Sequence, residues 1–336
     1  MIKSKLKFCV LGATSFGGRT VIESLLAQGY FVLGVARRGL PLEPYKIKNV
    51  NPKNLNWLRA DLVTENHLII ECINSFSPDY IIDFMGQGMV AESWVSPFQW
   101  YNTNVSKKSE LLSKLDWQKF LKAYIRVSTP EVFGSVDELI TEKHSFNPST
   151  PYALSHASID QHLALYASQT DFPFIIARYA NFYGKGQQLY RIVPKALYYA
   201  LTGQKLTLDG GGISERSFIY RDDIASSMNA LIKNGKVGET YHFSDTKCIS
   251  IKSLVQKIAN CCGIDFKDFV QIGADRNGKD QKYLMSTAKA QEKLGWNSKT
   301  DLDEGITKTM TWIKKSKKFI SPELLKYQHN YRENHE

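Results

Sequence analysis

Seven residues, GATSFGG at positions 12–18, constrain this chain more than any other stretch. They follow an apolar run, KFCVL, and open a helical pattern, GGRTVIESLLAQGY. A strand that turns directly into a helix leaves the first helical N–H groups unpaired and facing outward, where they bind an anion. Gly12 and Gly18 fall six apart, with Ser15 where a dinucleotide-binding turn has its middle glycine. The context predicts a pyrophosphate cradle made by Gly12, Thr14, Ser15, Phe16 and Gly18, with the Ser15 hydroxyl able to add a hydrogen bond.

The same alternation continues. FVLGVARR, NLNWLRADL, PDYIIDFMG, KAYIRVSTPEVFG and PFIIARYANFYG read as strands. Helical patterns fall between them: NHLIIECINSF, the run WYNTNVSKKSELLSKL as one long helix, and the stretch opening PYALSH. This spacing predicts an α/β, Rossmann-like doubly wound parallel sheet over residues 1–182, carrying the catalytic residues. Residues 183–336 are expected to form a smaller α/β substrate-binding region interleaved with the first. No apolar run approaches the roughly 20 residues that span a bilayer, and the N-terminus lacks the features of a signal peptide. Five scattered cysteines show no zinc-site spacing, so no metal is expected and a reducing cytoplasm is. The net charge of +10 comes from dispersed lysines and one late cluster, KTMTWIKKSKKF, read as a solvated helix face. No nucleic-acid module appears, and neither nucleic acid nor membrane is an expected partner; an anionic cofactor and substrate fit the basic excess.

The second strand ends VARRGL. A carboxylate there holds a bare ribose 2′-hydroxyl, but Ala36 offers none, whereas Arg37 and Arg38 offer guanidinium forks suited to a phosphate. NADP is therefore expected ahead of NAD. Asp61, closing the third strand, is placed to accept from the adenine amino group.

GATSFGG, QGMVAES, NTNV, VSTPEVFG, NPSTPYALSH, RYANFYG, RSFIYRDD and AQEKLGW occur in the order and spacing of one family. The chain resembles the extended short-chain dehydrogenase/reductases that modify nucleotide sugars, and most of all the dTDP-glucose and GDP-mannose 4,6-dehydratases. The resemblance implies cofactor contacts at Leu62, Met85, Gly86, Gln87 and Asn104, the last bracing the strand that carries the catalytic threonine. It implies substrate contacts at Met89, Ser128, Thr129, Asn181, Arg191 and Arg216, with cations gathered on a diphosphate. It further implies a homodimer or homotetramer.

The resemblance also assigns chemistry. Tyr152 takes the proton from the sugar O4, Thr129 bonds O4, and Glu131 removes the C5 proton before the C6 hydroxyl leaves. A free phenol is only about one part in a thousand ionised at pH 7, so the phenolate needs about 4 kcal/mol of help. The family supplies part of it with a lysine four residues after the tyrosine. Here that position is His156, on the same helix face and only about a quarter charged at pH 7 if unperturbed. It can still bond the cofactor ribose. Pro130 stands where some relatives carry an acidic residue that protonates the leaving hydroxyl. Three readings remain open: a 4,6-dehydratase; an epimerase, decarboxylase or 5,6-dehydratase on the same scaffold; and a catalytically silent nucleotide-sugar binding protein.

Overall fold

A computed structural model describes residues 5–48, 51–274 and 281–329. Seven strands form one all-parallel sheet: β1 (Lys7–Leu11), β2 (Phe31–Ala36), β3 (Leu55–Arg59), β4 (Tyr80–Asp83), β5 (Ala123–Ser128), β6 (Phe174–Tyr179) and β7 (Thr240–Phe243). Their order is β7-β6-β5-β4-β1-β2-β3. The order reverses between β1 and β4, and a crevice opens at the carboxyl ends of strands at such a point. The strands read as near-continuous apolar runs because helices cover both faces. Along β1, Phe8 and Val10 enter one core with Val21, Ile22 and Ile224, while Cys9 and Leu11 enter another with Ile69, Ile73 and Leu163. A one-residue slip would exchange the two sets.

The helices are α1 (Phe16–Ala27), α2 (Asn66–Phe76), α3 (Pro97–Tyr101), α4 (Lys107–Lys114), α5 (Pro151–Thr170), α6 (Ile192–Thr202) and α7 (Arg221–Asn234). The chain returns to the sheet after residue 183, since α7 packs on α1 and β7 pairs with β6. A third core, with Tyr183, Val193, Leu197, Leu254, Ile258 and Ile306, organises the remainder of the second half. No helix among the described residues is long and apolar enough to cross a membrane.

Three expectations change. The helix expected over 100–115 is not regular: between α3 and α4, which run on continuously, residues Asn102–Ser106 make one wide π-helical turn. The run 122–134 leaves the sheet at Ser128 and becomes a 3₁₀ turn, Pro130–Phe133, because proline has no N–H for a ladder. The run 173–184 divides: β6 ends at Tyr179, and Asn181–Tyr183 pairs instead with Phe218–Tyr220.

Candidate active site

The turn after β1 is built for close approach. Gly12 has φ +74°, and a Cβ there would lie 2.7 Å from the Phe84 carbonyl carbon. A Cβ on Gly18 would lie 2.5 Å from the Gly12 oxygen. Ser15 caps α1, its oxygen accepting the Gly18 N–H at 3.0 Å, so its hydroxyl proton faces a separate acceptor. Phe16 is anchored in the core, packed near Phe182, and contributes backbone rather than side chain. The Thr14 carbonyl accepts from buried Arg19, which also donates to the carbonyls of Tyr45 and Gly186 and ties the turn to the second half.

Ala36 is buried, while Arg37 and Arg38 are exposed just beyond it. One Asp61 oxygen accepts the Val63 N–H at 2.8 Å. The Leu62 side chain is buried in the core, so any contact it makes with a cofactor is through backbone. A narrow glycine turn, a free helix N-terminus and two flanking guanidinium groups suit the pyrophosphate and ribose of a dinucleotide.

Across the crevice, the loop after β4 holds Met85, Gly86 and Gln87. Asn104, on the wide turn, accepts the Gln87 N–H at 2.7 Å, donates to the Gln87 carbonyl at 3.1 Å and donates to Ser155 Oγ at 3.0 Å. It is fully buried. Asn104 thus clamps this loop to α5. Met89 follows with φ +74°, a conformation that costs a branched or bulky residue energy and marks a constrained position.

Thr129 caps the 3₁₀ turn that carries Glu131. Tyr152 lies in the first turn of α5, which Thr150 caps by accepting the Ala153 N–H at 3.1 Å. Thr129 and Tyr152 are hydrogen-bonded. Burial and the Glu131 carboxylate push the Tyr152 phenol above its ordinary value, against the pull of Thr129, Arg191 and Arg126. Glu131 Oε1 accepts from the Tyr283 hydroxyl at 3.0 Å, and the Arg216 guanidinium lies 4.5 Å over the Tyr283 ring. Pro130 is buried at the start of the turn and carries no proton to give.

The His156 ring centroid is 4.5 Å from that of Tyr152, and its Nδ1 is 2.9 Å from a guanidinium nitrogen of Arg126. Burial, then Arg126, Lys108 and Arg178, hold His156 well below the usual imidazole range. The partial charge expected for an ordinary histidine is therefore absent.

Beneath it lies a buried charge network. Lys108 Nζ and the Tyr124 hydroxyl donate to Asp83 Oδ2 at 2.5 and 2.6 Å. Arg178 and Ser128 donate to Asp160 Oδ2 at 2.7 and 2.5 Å. Arg126 stands between the two carboxylates, 3.8 Å from Asp83 and 3.6 Å from Asp160. Burial raises the Asp83 carboxyl, but Lys108 and Arg126 outweigh burial and keep it ionised. Burial and Arg126 press Lys108 down to about 8 against the attraction of Asp83. The Ser128 hydroxyl proton is thus committed to Asp160, and Ser128 braces the network. Arg191 is exposed at the start of α6, within electrostatic reach of Tyr152. Asn181 opens the short strand beside Phe218, half-buried.

The sequence reading missed Arg126, Lys108, Asp83, Arg178, Asp160 and Tyr283. The first four carried a signal: a charge inside an apolar strand, as in AYIRVS or YIID, or on the inner face of a helix, is almost never buried unless paired. The reading also missed the C-terminal segment. His329 stacks on Trp100 at 5.0 Å and lies 3.2 Å from both Gln87 Nε2 and Gln99 Oε1. The Tyr327 hydroxyl lies 2.9 Å from His329 Nδ1, and its ring packs edge-on against Tyr190.

A parallel sheet with this order, a glycine turn at one crest and a Tyr/Thr/Glu set near the next define an extended short-chain dehydrogenase/reductase of the nucleotide-sugar dehydratase type. Within that class, the chain belongs to the GDP-mannose 4,6-dehydratase family, whose model matches residues 9–309. Among curated relatives, a trifunctional UDP-glucose 4,6-dehydratase/3,5-epimerase/4-keto-L-rhamnose reductase of Arabidopsis thaliana is 28% identical over 85% of this chain, and the chain spans only 46% of that protein. The dTDP-D-glucose 4,6-dehydratase of Homo sapiens is 29% identical over 91% of this chain and 89% of its own length. Among solved structures, the dTDP-glucose 4,6-dehydratase of Streptomyces venezuelae, with NAD bound, superposes with a TM-score of 0.87 at 24% identity, covering 94% of this chain and 99% of that one. The UDP-glucose 4-epimerase of Thermotoga maritima gives 0.83, at 24% identity over 92% and 99%.

Proposed function

We propose that the chain is an NADP- or NAD-dependent nucleotide-sugar 4,6-dehydratase that converts a nucleotide hexose to its 4-keto-6-deoxy form. The observation that carries this is the gathering of Thr129, Tyr152 and Glu131 at the carboxyl edge of the sheet, beside a dinucleotide cradle. Thr129 holds the sugar O4 and Tyr152 takes its proton. The bound nicotinamide supplies the hydride acceptor for C4 and later the hydride donor for C6. Glu131 removes the C5 proton that the neighbouring ketone has acidified. Because Pro130 holds no proton, Glu131 passes that same proton to the departing C6 hydroxyl, which leaves as water.

Gly12, Ser15 and Gly18 hold the pyrophosphate, and Ala36 with Arg37 and Arg38 supports a preference for NADP. Asn181, Arg191 and Arg216 face the diphosphate from the second half of the chain, which serves as the substrate region. Exposed Trp94, Val95 and Phe98, with Leu154 and Leu165 on α5, support a homodimer or a tetramer built from it. A reduced, cytoplasmic setting fits the five free cysteines. The missing acid at Pro130 favours one alternative, in which the C6 hydroxyl is retained and an epimer is released.

The test is mass spectrometry of nucleotide sugars incubated with the protein and either cofactor. Loss of one water from one donor is expected. Glu131→Gln is expected to lower elimination roughly a thousandfold while reduced cofactor still accumulates, visible by its near-ultraviolet absorbance. Unimpaired elimination in that variant removes Glu131 from the reaction; an unchanged mass with a new epimer replaces the dehydratase reading.

A further inference from the structure

The pair Arg126–His156 contains a constraint that neither residue shows alone. Guanidinium has only donors. With an Arg126 nitrogen 2.9 Å from Nδ1, that ring nitrogen must offer its lone pair, and the ring proton sits on Nε2. Nε2 has no hydrogen-bond partner among the described residues. An imidazolium would turn an N–H against the guanidinium, so the ring is held neutral. The charged and titratable groups around it are Arg126 on β5, Lys108 on α4, Arg178 on β6, and Tyr152 and Asp160 on its own helix, with Asp83 and Tyr124 behind Arg126. Three cations, Lys108, Arg126 and Arg178, face two carboxylates, Asp83 and Asp160. Part-buried Glu142 also lies within electrostatic reach of Arg178.

We propose that Arg126 is a positioning residue that does the electrostatic work of the family's lysine through His156. It fixes the Nε2–H tautomer, so that His156 presents a donor to a cofactor ribose, and it supplies from behind the ring the positive charge that favours the Tyr152 phenolate. One lysine is thereby replaced by two residues, one carrying the hydrogen bond and the other the charge. The catalytic consequence rests on the reaction proposed above; the position of the proton does not.

The roles separate in a set of full-length variants. In ¹⁵N-histidine-labelled protein, the imidazole signal lost in His156→Gln is expected to show an unprotonated Nδ1 and to stay neutral through the acid range where free histidine titrates. In Arg126→Met that signal is expected to move up toward its ordinary range, with burial, Lys108 and Arg178 still holding it below the free value. Turnover of Arg126→Met is expected to fall about a hundredfold at neutral pH and to recover partly in acid, as the imidazole takes up the charge itself. His156→Lys alone is expected to be poor, because its ammonium meets Arg126. The double variant Arg126→Met/His156→Lys is expected to return to within about tenfold of the parent at neutral pH. Affinity for reduced cofactor, read by fluorescence, should follow the same order. An Nδ1 proton in the parent protein overturns the proposal even if Arg126→Met fails to fold; so does an Arg126→Met pH profile unchanged from the parent. A parent protein inert toward every nucleotide sugar sinks the dehydratase reading instead, and the imidazole signals still decide the role of Arg126.

Discussion

A buried histidine beside a guanidinium reports its surroundings through stability as well as catalysis. His156 and His242 are both held well below the ordinary imidazole range, first by burial and then by neighbouring arginines. Above about pH 6.5 each is neutral whether the chain is folded or not, and neither makes stability depend on pH. Below it the unfolded chain binds two protons that the folded chain refuses, so stability falls as pH falls, by about 1.4 kcal/mol per pH unit for each histidine. Urea unfolding midpoints measured from neutral pH into the acid range should show this slope, and His242→Gln should remove about half of it; a flat profile would show that both rings accept protons in place. The sequence showed that position 156 was unusual but not what answered it. Its partners lie on β4, β5, β6 and α4, far apart in the chain, and no local pattern links them.

Strands and helices were legible where one physical signal dominated. The apolar runs of β1, β2 and β4, the helix Asn66–Phe76 and the start of the helix at PYALSH all fall close to where periodicity put them. The helix read over 100–115 is present, but its wide turn was not legible, because a 3.6-residue period cannot register one extra residue in a turn. That extra residue brings Asn104 inward, where it satisfies both backbone groups of Gln87. Asn104→Ala is expected to remove both hydrogen bonds to the part-buried Gln87 backbone and to cost about 1 kcal/mol. It should also loosen the loop at 85–88, raising hydrogen exchange there and weakening reduced-cofactor binding several-fold. Unchanged exchange at Gln87 would mean the clamp is not needed to hold the loop.

For the molecule as a whole, two cores sandwich one sheet and a third sits beside its carboxyl edge, so the crevice is bounded by rigid layers. The apolar residues exposed on the segment 94–98 and on α5 lie on elements that pack against each other, and Leu165 is 67% exposed. Leu165→Asp combined with Val95→Asp is expected to convert the proposed dimer to monomer in sedimentation velocity; a parent that already sediments as a monomer, or a coefficient that does not change, overturns that interface. The contact of His329 with Gln87, 242 residues apart, has a temporal meaning. At about 5–20 residues per second, a ribosome makes Gln87 roughly 12–50 s before His329. Throughout that interval the nascent sheet can form while the loop at its switch point still lacks one of its partners. The loop at the crevice is therefore complete only once the chain has been made through His329, however early its glycines are made.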